Sequence, residues 1–285
     1  MSRPGFLRNP MPPAPARAGG PVRSGSFGPE LQTAPWKYTL SHDREEDCLL
    51  WITRGQGRVT INGLRRGVSM HHAIFLPAGT LFALDLQQGT QALFVQSPHG
   101  LAPRMPQEPM LLRIRDALAQ AELTGEIDAM ARETQRARPL MGDALEARLQ
   151  LVAIWLRRQI ETGAVEAPEE TAALRLVRRY ARLVTREFRS AEPIAHHAGV
   201  LGVTPTHLSR VCRQCCGKTA ADLLTERRLH AARVALESPR PPVQEIARGL
   251  GFASPAYFTR FIQSHTGLTP SALRAGVSRP SPRRA

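Results

Sequence analysis

The feature that most constrains this chain is a repeat inside its last hundred residues. Thr204-Pro205-Thr206-His207-Leu208-Ser209-Arg210 returns 50 residues later as Ser254-Pro255-Ala256-Tyr257-Phe258-Thr259-Arg260. The match extends downstream, pairing Gly217 with Gly267, Thr219 with Thr269 and Leu223 with Leu273. Upstream, Ala198 pairs with Ala247 and Gly202 with Gly251 at an offset of 49, so the second copy has one extra residue in its turn. Internal self-similarity of this kind means that one supersecondary unit has been built twice.

Each copy reads as helix, tight turn, helix. In the first, residues 194–201 form a short helix in which Ala198 leaves room for a crossing partner. Gly202 accepts the positive φ of a sharp turn, and Thr204-Pro205 opens the second helix, where proline's missing N–H costs nothing. Residues 243–250, Gly251 and Ser254-Pro255 fill the same roles in the second copy. Between the copies, residues 221–237 read as a helix offering Leu224, Leu229, Ala232 and Leu236 to the core, stopped by Ser238-Pro239 with Pro241 and Pro242 beyond. About 17 helical residues span roughly 25 Å. That length suits two reading heads set near one DNA turn apart, about 34 Å. Ahead of the repeat, Leu174, Val177, Ala181, Val184 and Phe188 mark an amphipathic helix whose other face carries Arg175, Arg178, Arg179, Arg182 and Arg186.

Charge points the same way. The 285 residues carry 38 Arg and Lys against 24 Asp and Glu, a net +14, and Lys37 and Lys218 are the only lysines. From Thr171 onward there are 19 basic and 6 acidic residues, so the excess sits almost wholly with the repeat. A basic domain beside a nearly neutral one suits a polyanionic partner. No apolar run approaches the roughly 20 residues of a membrane span. Arg3, Arg8, Arg17 and Arg23 are followed by no apolar signal-peptide core, and four cysteines make no disulfide framework in a chain this long. A cytoplasmic protein is expected.

The first 170 residues are organised differently. Residues 1–30, with seven prolines, read as a disordered tail. Residues 31–100 read as five or six short strands: 48–53, 58–61 leading into the hairpin signal Asn62-Gly63, 73–76, then Pro77-Ala78-Gly79, 81–86 and 92–96. Such spacing suggests a small antiparallel barrel. Residues 101–165 form a helical connector, with helices over 109–122, 125–138 and 143–161, the last capped by Asp143. Leu145, Leu149, Val152 and Leu156 stripe that helix, either as intrachain core or as a dimer seam. The repeat domain covers 168–276, and 277–285 is a basic tail.

Taken together, Gly202-Val203-Thr204-Pro205, His207-Leu208-Ser209-Arg210, Arg228-Leu229, Ala232, Glu245-Ile246-Ala247, Gly251-Phe252, Tyr257-Phe258, Arg260-Phe261 and Gly267-Leu268-Thr269-Pro270 resemble the AraC/XylS family of transcription regulators. The resemblance covers about residues 171–275. More loosely, Gly55, Gly57, Asn62-Gly63 and Pro77-Ala78-Gly79 resemble the cupin-like sensing barrel that such regulators often carry. The implied fold is an α+β multidomain chain: a small antiparallel barrel, a helical connector and an all-α domain with two helix-turn-helix units. The implied function is sequence-specific DNA binding under an effector whose contact residues are not identified. Promoter DNA, a small-molecule effector, RNA polymerase and a second copy are the expected partners; a membrane is not.

A recognition helix offers its early exposed residues to base edges. In the first copy these are Thr206, Ser209 and Arg210, and in the second Ala256, Tyr257, Thr259 and Arg260. The resemblance carries DNA contact onto the same positions. Arg213 is better placed for phosphate, which sets register without reading sequence. With Ala256 where a longer polar chain would fit, the first head is expected to carry more specificity.

Metal and catalytic chemistry are not expected. Cys212, Cys215 and Cys216 lack a second ligand pair, and Cys212 aligns with Ile262, a core position. Of His42, His71 and His72, the adjacent pair would face opposite sides of a strand. Phe82 stands where a metal-binding barrel would place its histidine. No phosphate loop or nucleophile elbow is present, so no cofactor is assigned. A metal-dependent barrel enzyme fused to a DNA module and an architectural binder acting by charge alone are the competing readings.

Overall fold

The computed structural model describes residues 22–28, 31 and 33–276. Of the tail expected over 1–30, residues 1–21 lie outside the described residues, as does the basic tail at 277–285. Among the described residues eight strands form two antiparallel sheets: β1 (Arg23–Ser26), β2 (Glu46–Arg54), β3 (Gln56–Ile61), β4 (Leu64–Ser69), β5 (His72–Leu76), β6 (Phe82–Leu86), β7 (Gln91–Pro98) and β8 (Met110–Arg113). One sheet runs β1-β7-β2-β5-β8 and the other β4-β3-β6. Residues of both, including Leu50, Ile52, Val59, Ile74 and Leu84, share one apolar core.

Alternation along β2 explains the layering. Leu50 and Ile52 turn into that core, while Leu49 and Trp51 turn outward onto helices. The Asn62-Gly63 hairpin forms as expected: φ values of 47° and 77° give the doubly left-handed turn that matches strand twist.

Two strands were not anticipated. Arg23–Ser26 lies in the stretch read as a tail, yet pairs with β7 from Arg23 opposite Gln96 to Ser26 opposite Leu93. Met110–Arg113 lies where a helix was expected over 109–122, yet pairs with β5. An apolar run as short as Met110-Leu111-Leu112 does not distinguish strand from helix by period alone. Here Leu111 and Leu112 are buried on opposite faces of the sheet. The barrel therefore extends beyond 31–100 at both ends.

Helix α1 (Trp36–Thr39) is a single turn ahead of β2. The two helices expected over 109–122 and 125–138 are one, α2 (Ala117–Arg136), capped by Asp116 through Ala119 N at 2.8 Å and continuous across Gly125. Helix α3 (Met141–Glu161) begins two residues before Asp143, which sits in its first turn rather than at the cap. Both helices lie on the outer face of the larger sheet, where Leu123, Ile127, Leu145, Leu149, Val152 and Leu156 join Leu49, Trp51 and Phe75. The Leu145–Leu156 stripe is thus intrachain core. The alternative, a dimer seam on these residues, is overturned, since each is at most 1% exposed.

The remainder is all helical: α4 (Ala172–Glu187), α5 (Ile194–Val200), α6 (Pro205–Cys216), α7 (Ala220–Leu236), α8 (Val243–Gly249), α9 (Pro255–Thr266) and α10 (Pro270–Arg274). The expected stripe of α4, Leu174, Val177, Ala181 and Val184 with Phe188, is buried throughout. It supports a core shared by both repeat units. No helix among the described residues is long and apolar enough to cross a membrane.

Candidate nucleic-acid interface

The two copies of the repeat fold into equivalent units, α5–turn–α6 and α8–turn–α9. Each second helix starts by the same local chemistry. Thr204 Oγ1 accepts the His207 amide at 3.2 Å, and Ser254 Oγ accepts the Tyr257 amide at 3.1 Å. A proline follows each cap at the first helical position. Ala198 and Ala247 are essentially inaccessible beneath the crossing helix.

The turns demand glycine for different reasons. Gly202 adopts φ +73° with open space around its Cα; Gly251 adopts φ +76°, and a Cβ there would lie 2.3 Å from the Arg189 carbonyl oxygen. The extra residue in the second turn accompanies this closer approach to the end of α4.

Inside, Leu208, Val211 and Cys212 of α6 and Phe258 and Ile262 of α9 are buried, with Phe261 half-buried against the same core. Cys212 and Ile262 are both fully buried, which matches their alignment in the repeat. Burial pushes the Cys212 thiol up to about 12, so it is a packed apolar group rather than a reactive one.

Outside, α6 presents Thr206, Ser209, Arg210 and Arg213 at helical spacings of 3, 1 and 3, so they share one face. Thr206, Arg210 and Arg213 are exposed, and Ser209 is half-exposed. Arg210 is steadied by His207, whose Nδ1 lies 3.0 Å from its guanidinium. On α9, Ala256, Tyr257 and Arg260 are exposed, and Tyr257 is 53% accessible. Thr259 donates its hydroxyl to the Pro255 carbonyl at 2.9 Å, leaving only its lone pairs for a partner. The second face therefore offers fewer free donors than the first.

Arg228, part of the recognised motif, faces inward. It donates to the Phe188 and Ser190 carbonyls at 2.7 and 2.5 Å, fastening the end of α4 to the middle of α7. The histidines of the barrel do not converge. His71 stacks beside Trp51, and buried His72 accepts the Ser69 amide at 3.1 Å through Nδ1. His42 lies elsewhere, against α7.

That last contact belongs to a seam the sequence did not reveal. The segment from Trp36 to Asp43 runs along α7, the helix joining the two units. Asp43 pairs with Arg227, and Ser41 donates to Glu226 through its amide and hydroxyl at 3.1 and 2.7 Å. Lys37 meets Glu237 at 2.7 Å, and the Arg233 guanidinium lies 4.0 Å over the Trp36 ring. The rings of His42 and His230 stack 4.1 Å apart, within 8° of parallel. Burial, with Arg227 nearby, holds His230 down to about 3; burial and the adjacent His230 hold His42 well below its usual range. At the far side Gly63 presses on α4, where a Cβ would lie 2.1 Å from Val177 Cγ1. Only Asn62-Gly63 carried any signal of this seam, and it read merely as a turn.

The geometry defines a basic module with two helix-turn-helix units, the class that inserts a recognition helix into a DNA groove. Residues 197–276 match the family model described as a helix-turn-helix domain. The likeness to AraC-type regulators read from the repeat is borne out for this region. The chain is 32% identical over 83 residues to the arabinose operon regulatory protein of Salmonella typhimurium, covering 29% of this chain and 30% of that one. It is also 32% identical over 79 residues to the probable transcription factor PqrA of Proteus vulgaris, covering 28% and 65%. This chain thus spans about 30% of the arabinose regulator it matches. Among solved structures, fatty-acid-bound ToxT from Vibrio cholerae aligns over 93% of this chain and all of that one, at 14% identity and a TM-score of 0.44.

Proposed function

We propose that the protein is a cytoplasmic transcription regulator that reads promoter DNA through α6 and α9. The observation that carries this reading is the doubled unit: two equivalent helix-turn-helix motifs whose exposed faces hold Thr206, Ser209, Arg210 and Arg213, and Ala256, Tyr257, Thr259 and Arg260. A second copy and RNA polymerase complete the expected assembly at the promoter.

A small-molecule effector acting on the barrel belongs to the same proposal. The barrel interior is occupied by its own apolar side chains. One cleft open to a ligand, of about 470 Å³, is lined by Gln56, Arg58, Ser69, His72, Asp85 and Gln87. Its polar walls suit a small hydrogen-bonding metabolite rather than a lipid. An effector shifts DNA affinity only by binding two states unequally, and the seam on α7 is where the barrel touches the reading heads' connector.

The test is selection of bound fragments from fragmented host DNA at moderate salt, beside Arg210→Ala. A shared motif weakened by the substitution supports the reading. Uniform recovery of all fragments, with a log–log salt slope near −0.9 per phosphate as its only signature, would leave an architectural binder.

A further inference from the structure

The three-stranded sheet has an outer face turned away from the barrel core. Val59 points into that core, so Arg58 and Thr60 on either side of it point out. Strand register sorts the outward residues into rows: Ser69, Gln56 and Gln87; Gly67, Arg58 and Asp85; Arg65, Thr60 and Ala83. The third row lies against the helical domain. Thr60 and Ala83 are buried, and a Cβ on Gly217, at the end of α6, would lie 3.3 Å from Arg65 Nη1. The first two rows line the cleft.

Two charges in this cleft are uncommitted. Arg58 and Asp85 are cross-strand neighbours of opposite sign, an arrangement that ordinarily makes an ion pair. Both are exposed, and neither has an ion-pair or hydrogen-bond partner among the described residues. On the other side of Arg58, Gly67 leaves the middle row open, since a Cβ there would meet nothing within 4 Å. The polar groups around them are engaged. Ser69 Oγ and His72 Nδ1 accept from Arg113 at 2.8 and 3.2 Å, and Gln56 donates to Gln87 at 3.1 Å. His72 Nε2 lies 3.6 Å from Glu166, which pairs with Arg66 at 3.2 Å.

Resting on the reading of this cleft as the effector site, we propose that it binds a small zwitterion of the α-amino-acid class. Arg58 takes the carboxylate and Asp85 the ammonium. A guanidinium and a carboxylate each make strong charge-assisted hydrogen bonds, the first in two-pronged fashion to a carboxylate. A plain anion gains Arg58 but meets Asp85; a plain amine gains Asp85 but meets Arg58. A bipolar molecule of no net charge satisfies both. The cleft, at about 470 Å³, admits a molecule of that size. The site lies outside the barrel, whose interior its own side chains fill, and one row from the contact of Arg65 with α6. Occupancy is thereby placed next to the first reading head.

The experiment is isothermal titration calorimetry of the full chain, without DNA, with the common L-amino acids and glucose added singly. At least one amino acid is expected to bind, and its hydroxy-acid and decarboxylated counterparts to bind about tenfold or more weakly. Arg58→Gln and Asp85→Asn, both at exposed positions, are each expected to weaken binding about tenfold or more. In Asp85→Asn the preference for the amino acid over its hydroxy acid should vanish, which a general loss of structure would not produce. Gly67→Val, at an open strand position, should keep the melting temperature and abolish binding. Binding of no amino acid, binding of glucose instead, a hydroxy acid held as tightly as the amino acid, or a Gly67→Val chain that binds normally would each overturn the proposal. Any of these leaves DNA reading untouched, because no DNA is present. An amino acid that binds without altering DNA affinity would uphold the site and overturn only its role as the effector site.

Discussion

Acid should loosen the seam between the barrel and α7, and His230 sets most of the size of the effect. Its ring is enclosed by His42 at 4.1 Å, by the Lys37 carbonyl at 3.1 Å, and by the charges of Arg227, Arg44 and Lys37. In the folded chain it stays neutral down to about 3, whereas in the unfolded chain it titrates near 6.5. Below pH 6.5 the unfolded state therefore binds the extra proton, and stability falls as pH falls towards the folded value. At pH 5 the unfolded ring is about 1.5 units below its midpoint, so this one residue removes about 2 kcal/mol relative to neutral pH. His42 is shifted in the same direction and adds to the loss. Urea unfolding at pH 7 and pH 5, for wild type and His230→Gln, measures it. The wild type should lose about 2 kcal/mol more than the variant between the two pH values. Equal losses would refute the claim that the stacked pair is held neutral within the seam.

Three further outcomes follow from the repeat. Gly251→Ala should cost about 3 kcal/mol or more, because left-handed strain adds to contact with the Arg189 carbonyl; Gly202→Ala, with open space, should cost about 1 kcal/mol. Thermal or urea unfolding checks both, and equal costs would contradict the close approach. Thr219→Ala removes a reciprocal cap with Asp222 and should cost about 1 kcal/mol by the same measurement. Arg210→Ala should lower preference for the selected sequence by about 1–3 kcal/mol, and Arg260→Ala by less, in competition binding against random DNA. Equal losses would remove the asymmetry between the two faces.

What was legible in the sequence was what is local. Caps at Thr204 and Ser254, prolines after them and the turn glycines determine each unit within a few residues, and the fold contains every one. The Asn62-Gly63 turn is local in the same sense. Strands β1 and β8 were not legible, because Arg23–Ser26 and Met110–Arg113 are four-residue segments held by pairing with distant strands. The seam was hidden for a related reason. Asp43 and Arg227 lie 184 residues apart, and nothing near either announces the other. Helix α3 carries apolar residues at Leu145, Leu149, Val152 and Leu156 and again at Ala144, Ala147, Leu151 and Ile154. Period alone gives two stripes, and only the packed fold tells which one is already covered.

The central claim is that α6 and α9 read DNA together. Hydroxyl-radical footprinting on a selected fragment tests it most directly. Two protected segments about ten base pairs apart on one face of the duplex are predicted, the first lost with Arg210→Ala. Even protection along the fragment, or one segment that no substitution in either helix disturbs, would contradict it.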